Sequence, residues 1–335
     1  MNQVSALFWA RTKEYYRDKG SLVWSFIMPP LIIAVVALAF SREDTALFKV
    51  GLFPNESPPA AVASLPYIQW VPFSDLNKAE QKVRHHQIDL LLFTDGSERR
   101  LFNPESKNAQ VLRDLLSAKA LDQQPWADEA VSGRQVRYVD WVIPGILGMN
   151  LMFSGLFGVG YVIVRYRKNG VLKRLQAAPV SPYSFLAAQM LSRLVIMMMV
   201  STIVYGVSNL FLDFLMLGNY LTLALIALVG NLCLLSLGLI VASRMANEEL
   251  ANGLLNFLTF PMLLLSEVWF SLDGAPQWMA QVSNLLPLTH MVQAAREVMI
   301  EGASLAEVSD HLAAMAIMTV LFLALAAKIF KWRSD

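Results

Sequence analysis

Cysteine is almost absent from this chain: Cys233 is the single one among 335 residues, so an intrachain disulfide and a cysteine-based metal cluster are both excluded. Charge is scarce as well, at 16% of residues. No Gly-x-x-x-x-Gly-Lys phosphate loop occurs anywhere, so the chain is not expected to bind and hydrolyse ATP itself. Acidic residues are missing from Trp141 through Leu212. With a net charge of +1 and its basic residues gathered at the edges of apolar runs, the chain has no continuous basic patch for nucleic acid. What it has in excess is apolar residues, 56% of the total, and a mean hydropathy of +0.46. That balance predicts an α-helical polytopic membrane protein.

At about 20 residues per crossing, charge-poor windows predict six transmembrane helices. The first covers residues 20–41 and contains Pro29 and Pro30, which should kink or restart it. The others run over about 141–164, 184–212, 213–244, 250–270 (with Pro261 inside) and 312–327. Residues 1–19 mix Arg11, Lys13, Glu14, Arg17, Asp18 and Lys19 with Leu7, Phe8, Trp9, Tyr15 and Tyr16. This suits a cytoplasmic amphipathic helix and not a cleavable signal. Basic residues concentrate at the start, in 165–183, at Arg244 and at Lys328, Lys331 and Arg333, which predicts that both termini are cytoplasmic.

Residues 42–140 then fall outside, where 12 basic residues face 14 acidic ones. Strand patterns at 48–53, 67–73 and 89–93, with helical patterns at 75–87 and 107–123, predict an inserted extracytoplasmic α/β domain. Residues 271–309 carry Gly274, Pro276, Trp278 and Pro287, then a helical pattern over 289–301, and read as an outer re-entrant or interfacial segment.

The stretch from Arg165 to Phe185, an elbow between two expected spans, holds five basic residues and no acid. Within it Val171, Leu172 and Leu175 lie at helical spacing opposite Lys173 and Arg174, so a short surface helix is expected, either a docking surface or a topology-fixing loop. Gly145, Gly148, Gly155, Gly158 and Gly160 lack a preceding strand and point to close helix packing, within the chain or at a dimer seam. Arg193 lies inside the third span, where it is expected to reach toward the cytoplasm. Glu267 has three readings: lining a translocation path, pairing with Arg296, or reaching the outer interface. His290 reads as a packed helix start.

Three segments together resemble the ABC-2 type exporter permeases, in the branch with a large extracytoplasmic domain between the first two spans. Tyr138 to Gly148 is similar to the family's Asp-Phe-x-x-Pro-Gly-Ile-x-Gly lead into the second span. The family's cytoplasmic signature is matched by Arg167, Gly170, Leu172, Arg174, Leu175, Pro179, Val180 and Ser181. A late segment is matched by Ser266, Trp269, Pro276, Trp278, Pro287, Leu288, Thr289 and Arg296. Lys168 and Asn169 depart from the pattern where an acid is common, and Glu267 stands where a small Gly is usual.

The resemblance implies a permease subunit of the bacterial inner membrane, paired with a second permease copy and two ATP-binding-cassette ATPase subunits. ATP and Mg would sit on those partners, with no cofactor on this chain. The elbow would be the ATPase-coupling helix, with Arg167, Gly170, Leu172, Lys173, Arg174 and Leu175 at the contact. Glu267, Trp269 and Arg296 are the candidates for a translocation path, and the substrate would be an amphiphile or drug moved outward. A periplasmic partner for the outer domain is a further expectation. The alternatives are an ion-coupled secondary transporter, which needs buried acids or His in the spans and inverted-repeat symmetry, so that Glu267 and Arg193 are too few, and a non-transporting membrane sensor or scaffold.

Overall fold

The structure is a computed structural model that describes residues 3–18, 26–35, 48–54, 58, 68–95, 99–119, 127–132, 136–177, 181–245, 247–272 and 276–330. The fold is mostly helical, with an α/β region near the N-terminus. Contacts divide the chain into two compact units, one of Met1–Ala39 with Val139–Asp335 and one of Phe40–Tyr138.

In the smaller unit five strands form one sheet: β1 (Phe48–Phe53), β2 (Ile68–Pro72), β3 (Leu90–Phe93), β4 (Arg99–Phe102) and β5 (Ala127–Ala130). Their order is β2-β1-β3-β4-β5. β1 pairs in parallel with β2 and β3, β3 and β4 are antiparallel, and β4 and β5 are parallel. Alternate side chains point to opposite faces of a strand, and here each face carries its own helix. Val50, Leu52, Leu90, Leu92 and Phe102 pack with Ala109, Leu112 and Leu116 of α4 (Lys107–Lys119). Leu91, Phe93 and Leu101 pack with Ala79 and Val83 of α3 (Leu76–Arg84). Asp75 caps α3 by accepting the Asn77 amide at 2.9 Å, as expected for Asp at this position.

The larger unit opens with α1 (Gln3–Arg17) and an apolar helix α2 (Phe26–Val35). Pro29 and Pro30 lie within α2; the remainder of the first span expected at 20–41 lies outside the described residues. α5 (Tyr138–Lys168) follows, with a π-helical turn at Leu156–Tyr161, then α6 (Val171–Ala177), α7 (Pro182–Leu212) and α8 (Tyr220–Arg244). α9 (Glu248–Leu265), α10 (Gln277–Ser283), α11 (Pro287–Arg296) with a π turn at Glu297–Glu301, and α12 (Ser309–Ile329) complete it.

Among the described residues four helices are long and apolar enough to cross a membrane: α5, residues 184–212 of α7, residues 220–243 of α8, and α12. α9 has 18 residues but begins with Glu248 and Glu249, and Asn247 accepts from the Glu249 amide at 2.8 Å to cap it. Asp140 is 2% exposed and accepts the Leu215 amide at 3.0 Å, so the start of α5 pins the link between α7 and α8. The α5 glycines pack within the chain: Gly155 lies against Leu234 and Gly160 against Leu255.

Candidate functional site

Gly170 turns the chain from α5 into α6 with φ of +67°, a left-handed conformation in which a side chain would be strained. α6 then lies down with its apolar face inward. Leu172 is fully buried, with Val171 and Leu175 partly buried, in a cluster with Tyr166 and Phe185. Lys173 and Arg174 are exposed on the opposite face, as are Arg165 and Lys168 before the turn. The residues of the expected coupling helix thus split in two. Leu172 belongs to the core, Leu175 to its edge, and Lys173 and Arg174 to the surface.

Arg167 departs from the picture of an exposed contact residue. It is 7% exposed and points at the end of α8, where its guanidinium donates to the carbonyls of Ala242 (2.7 Å), Ser243 (3.1 Å) and Met245. The last carbonyls of a helix lack intrahelical partners and carry partial negative charge, so a buried cation is well placed there. Each charge-assisted bond of this kind contributes about 1.5–3 kcal/mol. Arg167 therefore fastens the elbow to α8.

The late-segment residues form a second cluster. Arg296 donates through Nε to the Trp141 carbonyl at 3.0 Å, lies 3.6 Å from the Trp141 ring centroid, and reaches the Glu267 carboxylate at 3.2 Å and its backbone carbonyl. Glu267 also accepts the Leu272 amide at 3.2 Å. Side-chain exposures of 9% for Arg296 and 18% for Glu267 make this a tie between α5, the turn after α9, and α11. Beside it Thr289 donates to Ser266 at 2.9 Å, and Ser283 donates to the Leu265 carbonyl at 2.6 Å. Trp269 packs at the edge of the core.

A cavity of about 1090 Å³ opens between α1, α2, α5 and α7. Glu267, Trp269 and Arg296 are not among its lining residues; Arg193 is. Arg193 donates through Nε to the carbonyl of Gly158 at 3.1 Å, inside the π turn of α5. It lies 5.2 Å from the Tyr15 ring centroid, so α1 covers it. A Cβ at Gly158 would come within 2.9 Å of Arg193 Cζ. Also on the α1 side of the cavity, Arg11 stacks on the Tyr166 ring at 4.1 Å and pairs with Glu14 at 2.8 Å, while Tyr166 donates to Glu14. The sequence marks Arg193 as a charge inside a span, but its pairing with Gly158 across two helices leaves no local pattern.

The family model described as "ABC-2 family transporter protein" matches residues 19–328. The "Probable multidrug ABC transporter permease YbhS" of Escherichia coli K12 is 22% identical, in an alignment covering 98% of this chain and 94% of that protein. "ABC transporter G family member 20" of Dictyostelium discoideum is 28% identical over 179 residues, half of this chain, which spans only 23% of that relative. "Probable multidrug ABC transporter permease YbhR" of Escherichia coli K12 is 20% identical over 54% of this chain and 50% of its own length. With the family match running through nearly the whole sequence and several helices long and apolar enough to cross a membrane, the chain belongs to the ABC-2 family of transporter proteins.

Proposed function

We propose that this chain is the permease subunit of an ATP-binding-cassette exporter, moving an amphiphilic or drug-like substrate outward with ATP and Mg held by a separate ATPase. It crosses a bacterial inner membrane six times, with both termini in the cytoplasm and residues 42–140 outside. α2 and α9 supply the two crossings beyond the four long apolar helices. The 18 residues of α9 span roughly 27 Å at helical rise, close to a hydrocarbon core of about 30 Å. The exposed apolar face of α9, with Leu250, Phe257, Phe260 and Leu264, suits lipid or a second permease copy.

One observation carries the reading: a basic surface helix whose underside is locked into the bundle. Lys173 and Arg174 face outward while Leu172 is buried and Arg167 grips the end of α8. A partner pushing on α6 therefore moves α5 and α8 with it. The relatives named multidrug ABC transporter permeases support a transport role of this kind.

The test reverses charge where burial is not disturbed. Lys173→Glu with Arg174→Glu should leave insertion and yield unchanged but remove copurification of the coexpressed ATPase and its stimulation by the permease. Undiminished ATPase binding and activity would overturn the docking assignment. Substitution of Leu172 is the poorer test, because its side chain is fully buried and a polar replacement would report on folding.

A further inference from the structure

The cavity between α1, α2, α5 and α7 joins two kinds of surface. The α5 residues lining it recur three and four apart from Ile146 to Tyr166, a face roughly 30 Å long at helical rise, comparable with the thickness of a hydrocarbon core. Along that face Met149, Phe153 and Phe157, with Ile32 of α2 and Ile196 of α7, make an apolar wall. Toward α1 the lining turns ionic and predominantly cationic: Arg11, Lys13, Arg17, Arg165 and Arg193 against Glu14 and Asp18.

Two polar groups on this wall have unmet hydrogen-bonding capacity. Gln189 is 2% exposed, and its Oε1 has no hydrogen-bond partner among the described residues. Asn150 Nδ2 is likewise buried and unpartnered. Gln189 sits one turn before Arg193 on α7, on the same face. Arg193 makes one hydrogen bond, through Nε to Gly158, and no ion pair with any described residue. A guanidinium inside a membrane span is costly unless something pairs with it, and its planar fork fits a carboxylate or phosphate. Buried polar groups left unpaired carry a comparable penalty.

We propose that this cavity binds an anionic amphiphile within a single permease subunit. Its phosphate or carboxylate head sits on Arg193, a head-group hydroxyl or amide donates to Gln189 Oε1, and its hydrocarbon tail lies along Phe153 and Phe157. The cationic lining repels a cationic amphiphile, and a free anion gains nothing from the apolar wall. As an assignment of cargo this rests on the exporter reading; as a binding site it does not, because it needs neither partner nor ATP.

The experiment uses the purified full-length chain, without ATPase, in neutral maltoside micelles, and measures equilibrium binding of radiolabelled dodecyl phosphate. Saturable binding is expected, competed by unlabelled dodecyl phosphate but not by inorganic phosphate or dodecyltrimethylammonium at the same concentration. Arg193→Gln should weaken it by about tenfold or more, the effect of losing a charge-assisted contact, and Arg193→Lys should restore part of it. At a pH near about 6, where much of the monoester keeps a P–OH to donate, Gln189→Leu should weaken it by several-fold. Gly158→Ala, which forces the guanidinium aside while keeping its charge, should weaken it as well.

Equal competition by inorganic phosphate would overturn the amphiphile assignment in favour of a soluble anion. Equal competition by the cationic amphiphile, or unchanged binding in both Arg193→Gln and Gly158→Ala, would overturn the site. The Lys173 and Arg174 double variant should bind like the parent, so failure of the coupling reading and failure of this one are separable.

Discussion

Arg296 shows how much one side chain can tie together. It joins Trp141, Glu267 and the backbone after α9 through three hydrogen-bonded groups and a stacked ring. Arg296→Ala removes all of these and leaves a partly buried carboxylate behind, so a loss of about 3 kcal/mol is expected, read as a lowered thermal midpoint of the purified chain. Glu267→Gln keeps an oxygen for the Leu272 amide and removes only charge, so its cost should be about 1 kcal/mol. Equal midpoints for the two variants would contradict the geometry. Gly145 gives a steric counterpart. A Cβ there would lie 2.5 Å from the Val268 carbonyl oxygen, and backbone cannot swing away as a side chain can. Gly145→Ala should therefore destabilise by about 1–3 kcal/mol, whereas Gly206→Ala in α7, with nothing within 4 Å, should be neutral or slightly stabilising. Thermal melting of both variants in the same detergent checks the contrast.

At the scale of elements, apolar periodicity made most of the architecture legible. The strand pattern at 48–53 is β1 itself, and the windows at 184–212 and 312–327 lie within α7 and α12. The two strands that the pattern missed, β4 and β5, are held by charge as much as by apolar burial. β4 begins Arg99-Arg100 and β5 is a fully exposed edge of sequence Ala-Asp-Glu-Ala. They are joined across the ladder by Arg99 to Glu129 at 3.4 Å and Arg100 to Asp128. Cross-strand pairs stabilise a sheet, but hydropathy does not register them. The elbow was legible as an amphipathic stripe, while the burial of Arg167 was not, because its acceptors are carbonyls of α8 some 75 residues away. The π turn in α5 was equally silent, since its residues fit an ordinary apolar helix. Replacing Arg167 with Met tests its tie directly: the apolar stem stays, but the carbonyls of Ala242 and Ser243 lose their donor. That chain should still insert but melt lower and lose stimulation of the ATPase, whereas Arg167→Lys, which keeps the charge, should retain part of both. Full stimulation in Arg167→Met would show that the Arg167 tie does not carry coupling.

For the whole molecule, the proposed topology follows from an imbalance of charge between segments. Residues 42–140 carry nearly cancelling charges, and the elbow carries five basic residues without an acid; short loops rich in Lys and Arg are retained on the cytoplasmic side. The sequence itself makes the test clean, because the sole cysteine, Cys233, is fully buried and should give little background with a membrane-impermeant maleimide. Lys107, exposed at the start of α4, and Lys173, exposed on α6, are suitable positions for single introduced cysteines. On cells stripped of their outer membrane, Lys107→Cys should label directly, whereas Lys173→Cys should label only after the inner membrane is opened. Labelling of both before permeabilisation would place the elbow and the α/β unit on one side, which an uneven number of intervening crossings forbids. The reverse pattern would turn the molecule over, set α6 on the side without ATP, and remove the coupling reading together with outward transport.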